Sequence, residues 1–416
     1  QRDLISDFLE VSMKQVEGGV CAAKGFKANG IHCGVRKNKT NRDLALIYSE
    51  KRAAAAAVYT TNLVKGAPIT VTKQNIADGY AQAVICNSGN ANTCNSNGIE
   101  IAESMCALTG SALGIDPEDV IVASTGVIGQ KLSIEPIKNG MDELVKGLTE
   151  KGSALAAEGI MTTDTKLKEI AVQFEAGGAV CTIGGISKGS GMIHPNMATT
   201  LTFLTTDTAI TPEMLSKALK GDIANTFNMV SVDGDTSTND MVAIMANGMA
   251  GNTVIASEGA DFDAFMMALN TVNVYLSRCI AGDGEGATKL LECRVAGAKD
   301  ENTAKIVAKS IICSSLTKAA MFGEDANWGR ILCAIGYSGA DVDVEKIDVG
   351  FKSPGGEVTV CVNGAGVDFS EEKAKKVLGE NEIEILVDLK QGSFSAVAWG
   401  CDLTYDYVKI NGDYRT

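Results

Sequence analysis

A threonine near the middle of the chain follows a small residue at the end of a glycine-rich stretch. Residues 188–201 read KGSGMIHPNMATTL, in which Ala198 precedes Thr199. If the peptide bond between these two residues is cut, Thr199 gains a free α-amino group, whose ordinary pKa is about 7.7–8.0. That amine, through a water if needed, can take the hydroxyl proton, so one residue becomes nucleophile and base. Attack of the same hydroxyl on the Ala198 carbonyl, followed by hydrolysis of the ester, would make the cut.

The scarcity of histidine favours a nucleophile that needs no imidazole. The sequence contains only His32 and His194, so any mechanism with a histidine base or histidine metal ligands must use one of them. His194 precedes Thr199 by five residues, and we expect it to have a hydrogen-bonded structural role.

Composition limits the classes of protein and partner. The 416 residues allow two or three domains and a large core. A net charge of -14 argues against nucleic-acid and anionic-membrane partners, and no apolar run predicts a membrane span. Twelve cysteines without a C-x-x-C pair are typical of reduced, mostly buried thiols. No secretory signal is visible at residues 1–10, so we expect a cytoplasmic protein, or one of the mitochondrial matrix in a eukaryote.

Strands and helices alternate along the chain in a way that would position these residues. Residues 120–123 predict a short buried strand that runs into Thr125 and Gly126. The stretches 168–174 and 199–205 predict two further strands, and 262–280 predict a long helix ending at the glycine-rich turn 282–286.

The mixture of elements favours helices packed on sheets in layers, either α+β or α/β. Residues 303–316 predict one helix. The stretch 52–58 is ambiguous, since its alanines favour a helix and the following VYTT favours a strand.

Motifs along nearly the whole chain resemble those of the ornithine acetyltransferase family, also called glutamate N-acetyltransferases. The segment around Thr199 resembles the family's self-cleaving site. The other matching motifs are KGF at 24–26, GIHCG at 30–34, NSGNAN at 87–92, STGVIG at 124–129, IMTTDT at 160–165, SVDGDTSTND at 231–240, GEGATK at 284–289 and NGDYRT at 411–416.

The resemblance implies an acyltransferase of arginine biosynthesis. Such an enzyme moves an acetyl group from N2-acetyl-L-ornithine to L-glutamate by a ping-pong mechanism, and some members also accept acetyl-CoA as the donor. It implies no metal and no organic cofactor. It also implies a layered fold built jointly from two self-cleaved fragments, 1–198 and 199–416, which assemble into an α2β2 heterotetramer.

The resemblance also assigns roles to residues that would otherwise be ordinary. A Thr-Gly pair in a loop is usually a turn, and a lone lysine or glutamate is usually a solvated surface charge. The family pattern makes Thr125 and Gly126 the oxyanion hole and Thr199 the nucleophile. It assigns substrate binding to Thr199 together with Thr162, Lys188, Glu285, Asn411 and Thr416.

Several alternatives stay open at this stage. The family usually has methionine after the nucleophile, where this chain has Thr200, so either threonine is a candidate first residue of the second fragment. Thr163 competes with Thr162 as a substrate contact. An amidohydrolase or aminopeptidase with the same threonine chemistry would use water as acceptor. An uncleaved protein that only binds acylated amino acids is the third alternative.

Overall fold

The structure is a computed structural model that describes residues 13–36, 40–194 and 200–412. Within these ranges the chain forms two mixed β-sheets, one of nine strands and one of seven, with helices packed against them. The predicted layered arrangement of helices on mixed sheets is therefore confirmed, and the arrangement is α+β.

The first sheet contains both antiparallel and parallel pairs in the order β1-β6-β7-β8-β10-β3-β4-β5, with β2 paired to β3. Its strands are β1 (Lys14–Val16), β2 (Phe26–Ile31), β3 (Leu44–Tyr59), β4 (Tyr80–Asn87), β5 (Val120–Ser124), β6 (Lys168–Ala176), β7 (Ala179–Lys188), β8 (Leu201–Thr206) and β10 (Met241–Ala246).

The second sheet has the order β14-β13-β12-β15-β11-β16-β9. Its strands are β9 (Val230–Ser231), β11 (Leu290–Ala298), β12 (Asp348–Ser353), β13 (Gly356–Val362), β14 (Ala365–Gly366), β15 (Glu382–Asp388) and β16 (Phe394–Cys401).

The helices of the described residues cover the faces of both sheets. They are α1 (Ala67–Asn75), α2 (Gly98–Leu113), α3 (Glu135–Lys146), α4 (Ser153–Ile160), α5 (Pro212–Ile223), α6 (Ala260–Gly282), α7 (Glu301–Cys313), α8 (Ser315–Phe322), α9 (Trp328–Gly336), α10 (Glu371–Leu378) and α11 (Tyr405–Gly412). None of these helices combines the length and apolarity needed to cross a bilayer.

The alanine-rich stretch 52–58 is strand, as the second half of β3. It pairs antiparallel with β10 and with β4, and both of its faces are covered. Ala54 and Ala56 contribute to the core shared with α5, whereas Ala53 and Ala55 face a second core. Sheet pairing and burial on both faces outweigh the helix propensity of alanine here.

Helix α6 lies between the two sheets and ends beside the turn that carries Glu285. It contacts β6 and β7 of the first sheet and β11 and β16 of the second. Phe265 packs edge-to-face against Phe174 of β6, with ring centroids 6.1 Å apart. Because α6 is anchored on both sides, the start of the following turn is fixed.

The two halves of the sequence share the first sheet. Strand β8 lies between β7 and β10, and β10 pairs in turn with β3. In the sequence, the predicted cut lies between β7 and β8, which are adjacent and antiparallel. A break there would leave the two fragments joined by sheet hydrogen bonds.

Two local expectations need adjustment. The predicted helix over residues 303–316 is two helices, α7 and α8, separated at Ser314, whose side chain accepts a hydrogen bond from the backbone N–H of Thr317 at 3.2 Å. All 12 cysteines are free and most are buried, as expected, but Cys94 and Cys333 are exposed.

Candidate active site

A cavity of about 280 Å³ brings together most of the residues nominated from the sequence. Its walls come from the loops after β4, β5, β7 and α4, from the turn before β10, from the turn after α6 and from the end of α11. The nominated residues that line it are Thr125, Gly126, Thr162, Lys188, Glu285 and Asn411. Their roles stay predictions, but their convergence from distant parts of the chain defines one candidate site.

Thr125 and Gly126 directly follow β5 and form one wall. The backbone N–H of Thr125 donates to Asn87 O at 3.0 Å, which holds the loop against the end of β4. Gly126 has φ +130°, and a Cβ there would lie 2.3 Å from the carbonyl carbon of Gly89. Only glycine fits this close approach of two backbones. The NSGNAN motif thus supports the loop that carries the Thr-Gly pair.

Two hydrogen-bond donors of this loop are unengaged. In the described part of the chain, neither the Thr125 hydroxyl nor the Gly126 backbone N–H has a hydrogen-bond partner. Both residues line the same cavity. Unengaged donors at a cavity wall are what stabilisation of a developing oxyanion requires.

Lys188 ends β7 and supplies a positive charge. The residue is only 8% exposed, and it pairs with Leu201 across the strands. Across residues 13–36, 40–194 and 200–412, no carboxylate forms a salt bridge with its ammonium group. A buried ammonium group that forms no salt bridge is complementary to an anionic ligand.

The buried carboxyl group of Asp240 lies near Lys188 but forms no salt bridge with it. Burial raises the pKa of Asp240 well above its ordinary value, and the nearby Lys188 only partly opposes this. Its Oδ2 atom has no hydrogen-bond partner among the described residues. The pKa shift favours the neutral acid over a carboxylate that would pair with Lys188.

Glu285 supplies the opposite charge at the cavity. It is 7% exposed, and its Oε2 accepts a hydrogen bond from Asn411 Nδ2 at 2.7 Å. A Cβ at Gly191 would lie 2.4 Å from the carboxyl carbon, so a larger residue there would displace the Glu285 carboxylate from this position. Within the described ranges no lysine, arginine or histidine forms a salt bridge with Glu285, which leaves its charge to a cationic ligand.

The loop after α4 contributes a polar wall. Thr162 and Thr163 both line the cavity, so the geometry leaves both as substrate contacts. The Thr162 backbone N–H donates to Asp164 Oδ2 at 3.0 Å, which fixes the conformation of the loop.

Three nominated residues, Ala198, Thr199 and Thr416, lie outside the described residues. The closest described residue to the predicted nucleophile is Thr200, which is buried. Its hydroxyl lies 2.7 Å from the Thr202 hydroxyl, which lies 2.6 Å from that of Ser187. Thr200 does not line the cavity.

One cavity wall is formed by Ser237, Thr238 and Asn239, to which the family pattern assigned no role. Asn239 Nδ2 donates to Ala91 O at 2.6 Å and to Ser124 O at 2.9 Å. This side chain therefore ties its loop to the loop of Thr125. The SVDGDTSTND motif could have predicted this wall, because its run of polar residues around one glycine is typical of a polar turn.

The same motif holds the chain just before the predicted cut. Asp233 accepts hydrogen bonds from the backbone N–H groups of Met192, at 2.6 Å, and Ile193, at 2.9 Å. His194 Nδ1 lies 3.1 Å from Ser231 Oγ and 3.5 Å from Cys313 Sγ. Burial, followed by the charge of Lys309, lowers the pKa of His194 to about 4. These contacts agree with a structural role for this histidine.

Helices packed on mixed sheets make this an α+β protein, and its cavity is lined by residues of both charges. Residues 27–416 match the family model described as the ArgJ family. The chain belongs to this family, which confirms the resemblance found in the sequence.

One bacterial relative matches nearly the full length of the chain, and two solved structures match about half of it. The arginine biosynthesis bifunctional protein ArgJ of Caldanaerobacter subterraneus subsp. tengcongensis is 52% identical over 405 residues, covering 97% of this chain and 100% of the relative. Among solved structures, ArgJ from Bacillus halodurans is 47% identical with a TM-score of 0.49, covering 51% of this chain and 98% of that chain. Ornithine acetyltransferase from Mycobacterium tuberculosis, complexed with ornithine, is 32% identical with a TM-score of 0.41, covering 45% and 100%.

Proposed function

We propose that the protein is an acyltransferase of arginine biosynthesis that transfers the acetyl group of N2-acetyl-L-ornithine to L-glutamate. One observation carries the proposal. Lys188 and Glu285 present opposite charges, neither in a salt bridge within the described residues, in the cavity that also contains the unengaged donors of Thr125 and Gly126. Both substrates have an α-carboxylate for a cation, and acetylornithine has a distant ammonium group for Glu285.

The first half-reaction forms an acetyl ester on Thr199. Its free α-amine takes the hydroxyl proton while Oγ1 attacks the acetyl carbonyl carbon. The Thr125 hydroxyl and the Gly126 N–H donate to the resulting oxyanion. Collapse breaks the amide C–N bond, the amine of ornithine takes the proton, and ornithine leaves.

The second half-reaction regenerates the enzyme. The neutral α-amine of glutamate attacks the ester carbonyl, and the same two donors stabilise the oxyanion. The Thr199 oxygen leaves and regains a proton that originates from the attacking amine. N-acetylglutamate is released. No metal or organic cofactor takes part in this proposal, and acetyl-CoA would serve only as an alternative donor.

Self-cleavage between Ala198 and Thr199 prepares the nucleophile. The Thr199 hydroxyl attacks the Ala198 carbonyl in an N-to-O acyl shift, and water hydrolyses the ester. The contacts of Thr200 support the choice of Thr199, because the Thr200 hydroxyl is already engaged with Thr202 and lies away from the cavity lining.

The fragments 1–198 and 199–416 would stay associated after the cut. The central position of β8 between β7 and β10 supports this, since fragment separation would break the pairing of β8 with β7 and of β10 with β3. We further propose assembly into an α2β2 heterotetramer. The free cysteines support a reducing compartment, the cytoplasm or, in a eukaryote, the mitochondrial matrix.

The acetyl acceptor distinguishes the proposed acetyltransferase, which uses glutamate, from an amidohydrolase, which uses water. Purified protein is incubated with N2-acetyl-L-ornithine, with and without L-glutamate, and products are identified by mass spectrometry. We expect N-acetylglutamate and ornithine in equal amounts. Acetate formed at the same rate with and without glutamate would instead identify an amidohydrolase.

A further inference from the structure

A buried group of three charges lies next to the cavity, outside the residues that line it. Lys168 Nζ is 2.7 Å from Asp164 Oδ1 and 2.5 Å from Asp283 Oδ2. The side chains of Lys168, Asp164 and Asp283 are 1%, 0% and 4% exposed. We call these three residues the ion triad. Burying charges costs free energy of desolvation, which is recovered only where the ion pairs have good geometry and further hydrogen bonds.

Asp164 connects the triad to two walls of the cavity. Its Oδ2 accepts the backbone N–H of Thr162 at 3.0 Å, and its Oδ1 accepts that of Gly189 at 2.7 Å. Gly189 directly follows Lys188. One carboxylate therefore fixes both the threonine loop and the strand end that presents the cavity lysine.

Asp283 connects the triad to the wall that carries Glu285. Its side chain accepts the backbone N–H of Thr165 at 3.0 Å, and its carbonyl oxygen accepts the Ser190 hydroxyl at 2.6 Å. The backbone N–H of Glu285 in turn donates to Ser190 O at 2.9 Å. The triad thus joins three of the segments that supply polar groups for the proposed substrates, those of Thr162, Lys188 and Glu285.

The three charges of the triad shift one another's pKa values. Burial alone would raise the pKa of Asp164, but Lys168, and after it Lys188, hold that pKa well below its usual range. Burial would lower the pKa of Lys168, yet the two carboxylates raise it above its ordinary value. Asp164 is thus an anion within electrostatic reach of both lysines, and Lys168 is the one that hydrogen-bonds to it.

We infer that Lys168 is a positioning residue that occupies Asp164 and thereby keeps Lys188 available for the α-carboxylate of the substrate. This inference rests on the proposed function. Without the Lys168 charge, Asp164 would be a buried anion, and Lys188 is the other lysine whose charge acts on it. The cavity lysine would then be drawn into an internal ion pair, and substrate carboxylates would lose their partner.

The test uses the full chain and compares Lys168→Met with the double variant Lys168→Met/Asp164→Asn. In Lys168→Met we expect KM for both substrates to rise about tenfold or more, corresponding to the loss of a charge-assisted hydrogen bond, with a smaller change in kcat. In the double variant KM returns toward the wild-type value, because the competing anion is gone. General destabilisation would not produce this recovery of KM in folded protein.

Lys289→Met is the matched control. Lys289 is also a buried lysine, but it donates to Leu378 O at 2.7 Å and does not line the cavity. We expect this variant to lower the melting temperature and to leave KM unchanged. If Lys168→Met does not fold, Lys168→Gln replaces it, since a neutral amide can still donate to both carboxylates.

A separate readout distinguishes failure of this inference from failure of the proposed function. Calorimetric binding of L-glutamate needs no turnover and is expected to weaken in Lys168→Met by the same factor as KM rises. If the wild-type protein transfers no acetyl group, the proposed function is wrong and the binding measurement still tests the triad. Unchanged glutamate affinity and KM in a folded neutral variant, or a loss that Asp164→Asn does not relieve, would overturn the inference.

Discussion

The side-chain amide of Asn411 donates to Glu285 Oε2 at 2.7 Å, joining the end of α11 to the turn after α6. Only one carboxylate oxygen is used in this bond. The second oxygen is left for a ligand, because none of the described residues forms a salt bridge with Glu285. Asn411 therefore orients the carboxylate without neutralising it.

Replacing this amide by a carboxylate should impair binding of the ammonium-bearing substrate. In Asn411→Asp the donor is lost and a like charge faces Glu285, so the carboxylate loses its orientation toward the ligand. We therefore expect KM for acetylornithine to rise by about tenfold or more, and KM for glutamate to rise by less. Steady-state kinetics of both substrates measures this difference. Asn302→Ala, at an exposed position of α7, is the control, and equal effects on both substrates would contradict the assignment of Glu285 to the ammonium group.

The oxyanion hole predicts a loss of kcat rather than of binding. Thr125→Ala removes a donor used only when the oxyanion forms, so kcat should fall on the order of 10² to 10³-fold with little change in KM. Thr125→Ser keeps the hydroxyl and should retain most of the activity. If alanine and serine behave alike, the hydroxyl is not the donor.

Gly126→Ala should be more damaging than a normal loop substitution. The added Cβ would meet the backbone of Gly89 at 2.3 Å, so the loop must move away from its position. We expect loss of both activity and thermal stability. Gly129→Ala is the control, because nothing lies within 4 Å of a Cβ at that position, although its φ is also positive. Equal damage in both variants would mean that backbone strain, not contact with Gly89, is the cause.

Lys188→Met tests the carboxylate site directly. Both proposed substrates carry an α-carboxylate, so KM should rise for both, by about tenfold or more. The expected pattern differs from that of Asn411→Asp, which acts mainly on acetylornithine. A change confined to one substrate would contradict a shared carboxylate site.

His194 predicts a specific pH dependence of stability. Its folded-state pKa is lowered from 6.5 to about 4, so the unfolded chain binds more protons between these values. The free energy of unfolding contributed by this residue is therefore complete above pH 6.5 and is lost as the pH falls toward 4. Thermal unfolding of His194→Gln should show a shallower acid decline than the wild type, with His32→Gln as the matched control. Parallel curves would contradict the shift.

The sequence predicted those features of the site that depend on residue type and motif. Thr125, Lys188 and Glu285 lie around one cavity, although they are far apart in the chain. Their shared location follows from the family pattern and not from spacing. The ion triad was not predicted, because the pairing of Lys168 with Asp283 depends on how α6 docks between the two sheets.

Local patterns predicted most elements of the fold but not every boundary. A threonine followed by proline, as at 211–212, is typical of a helix start, and in α5 the Thr211 side chain accepts from the backbone N–H of Met214 at 3.3 Å. Residues 52–58 stayed undecided, since only the sheet neighbours of β3 fix an alanine run as strand. The division of residues 303–316 at Ser314 was missed because an internal serine also occurs within continuous helices.

The first residue of the second fragment shows whether Thr199 is the nucleophile with a free α-amine. The most direct measurement is intact mass together with N-terminal sequencing of catalytically active protein, repeated for Thr199→Ala and Thr200→Ala. We expect two fragments in the wild type, the second beginning Thr-Thr-Leu-Thr. In Thr199→Ala we expect a single full-length chain. In Thr200→Ala cleavage persists and the second fragment begins Thr-Ala-Leu-Thr. Active protein consisting of one uncut chain, or a second fragment that begins at Thr200, would contradict the proposed role of Thr199.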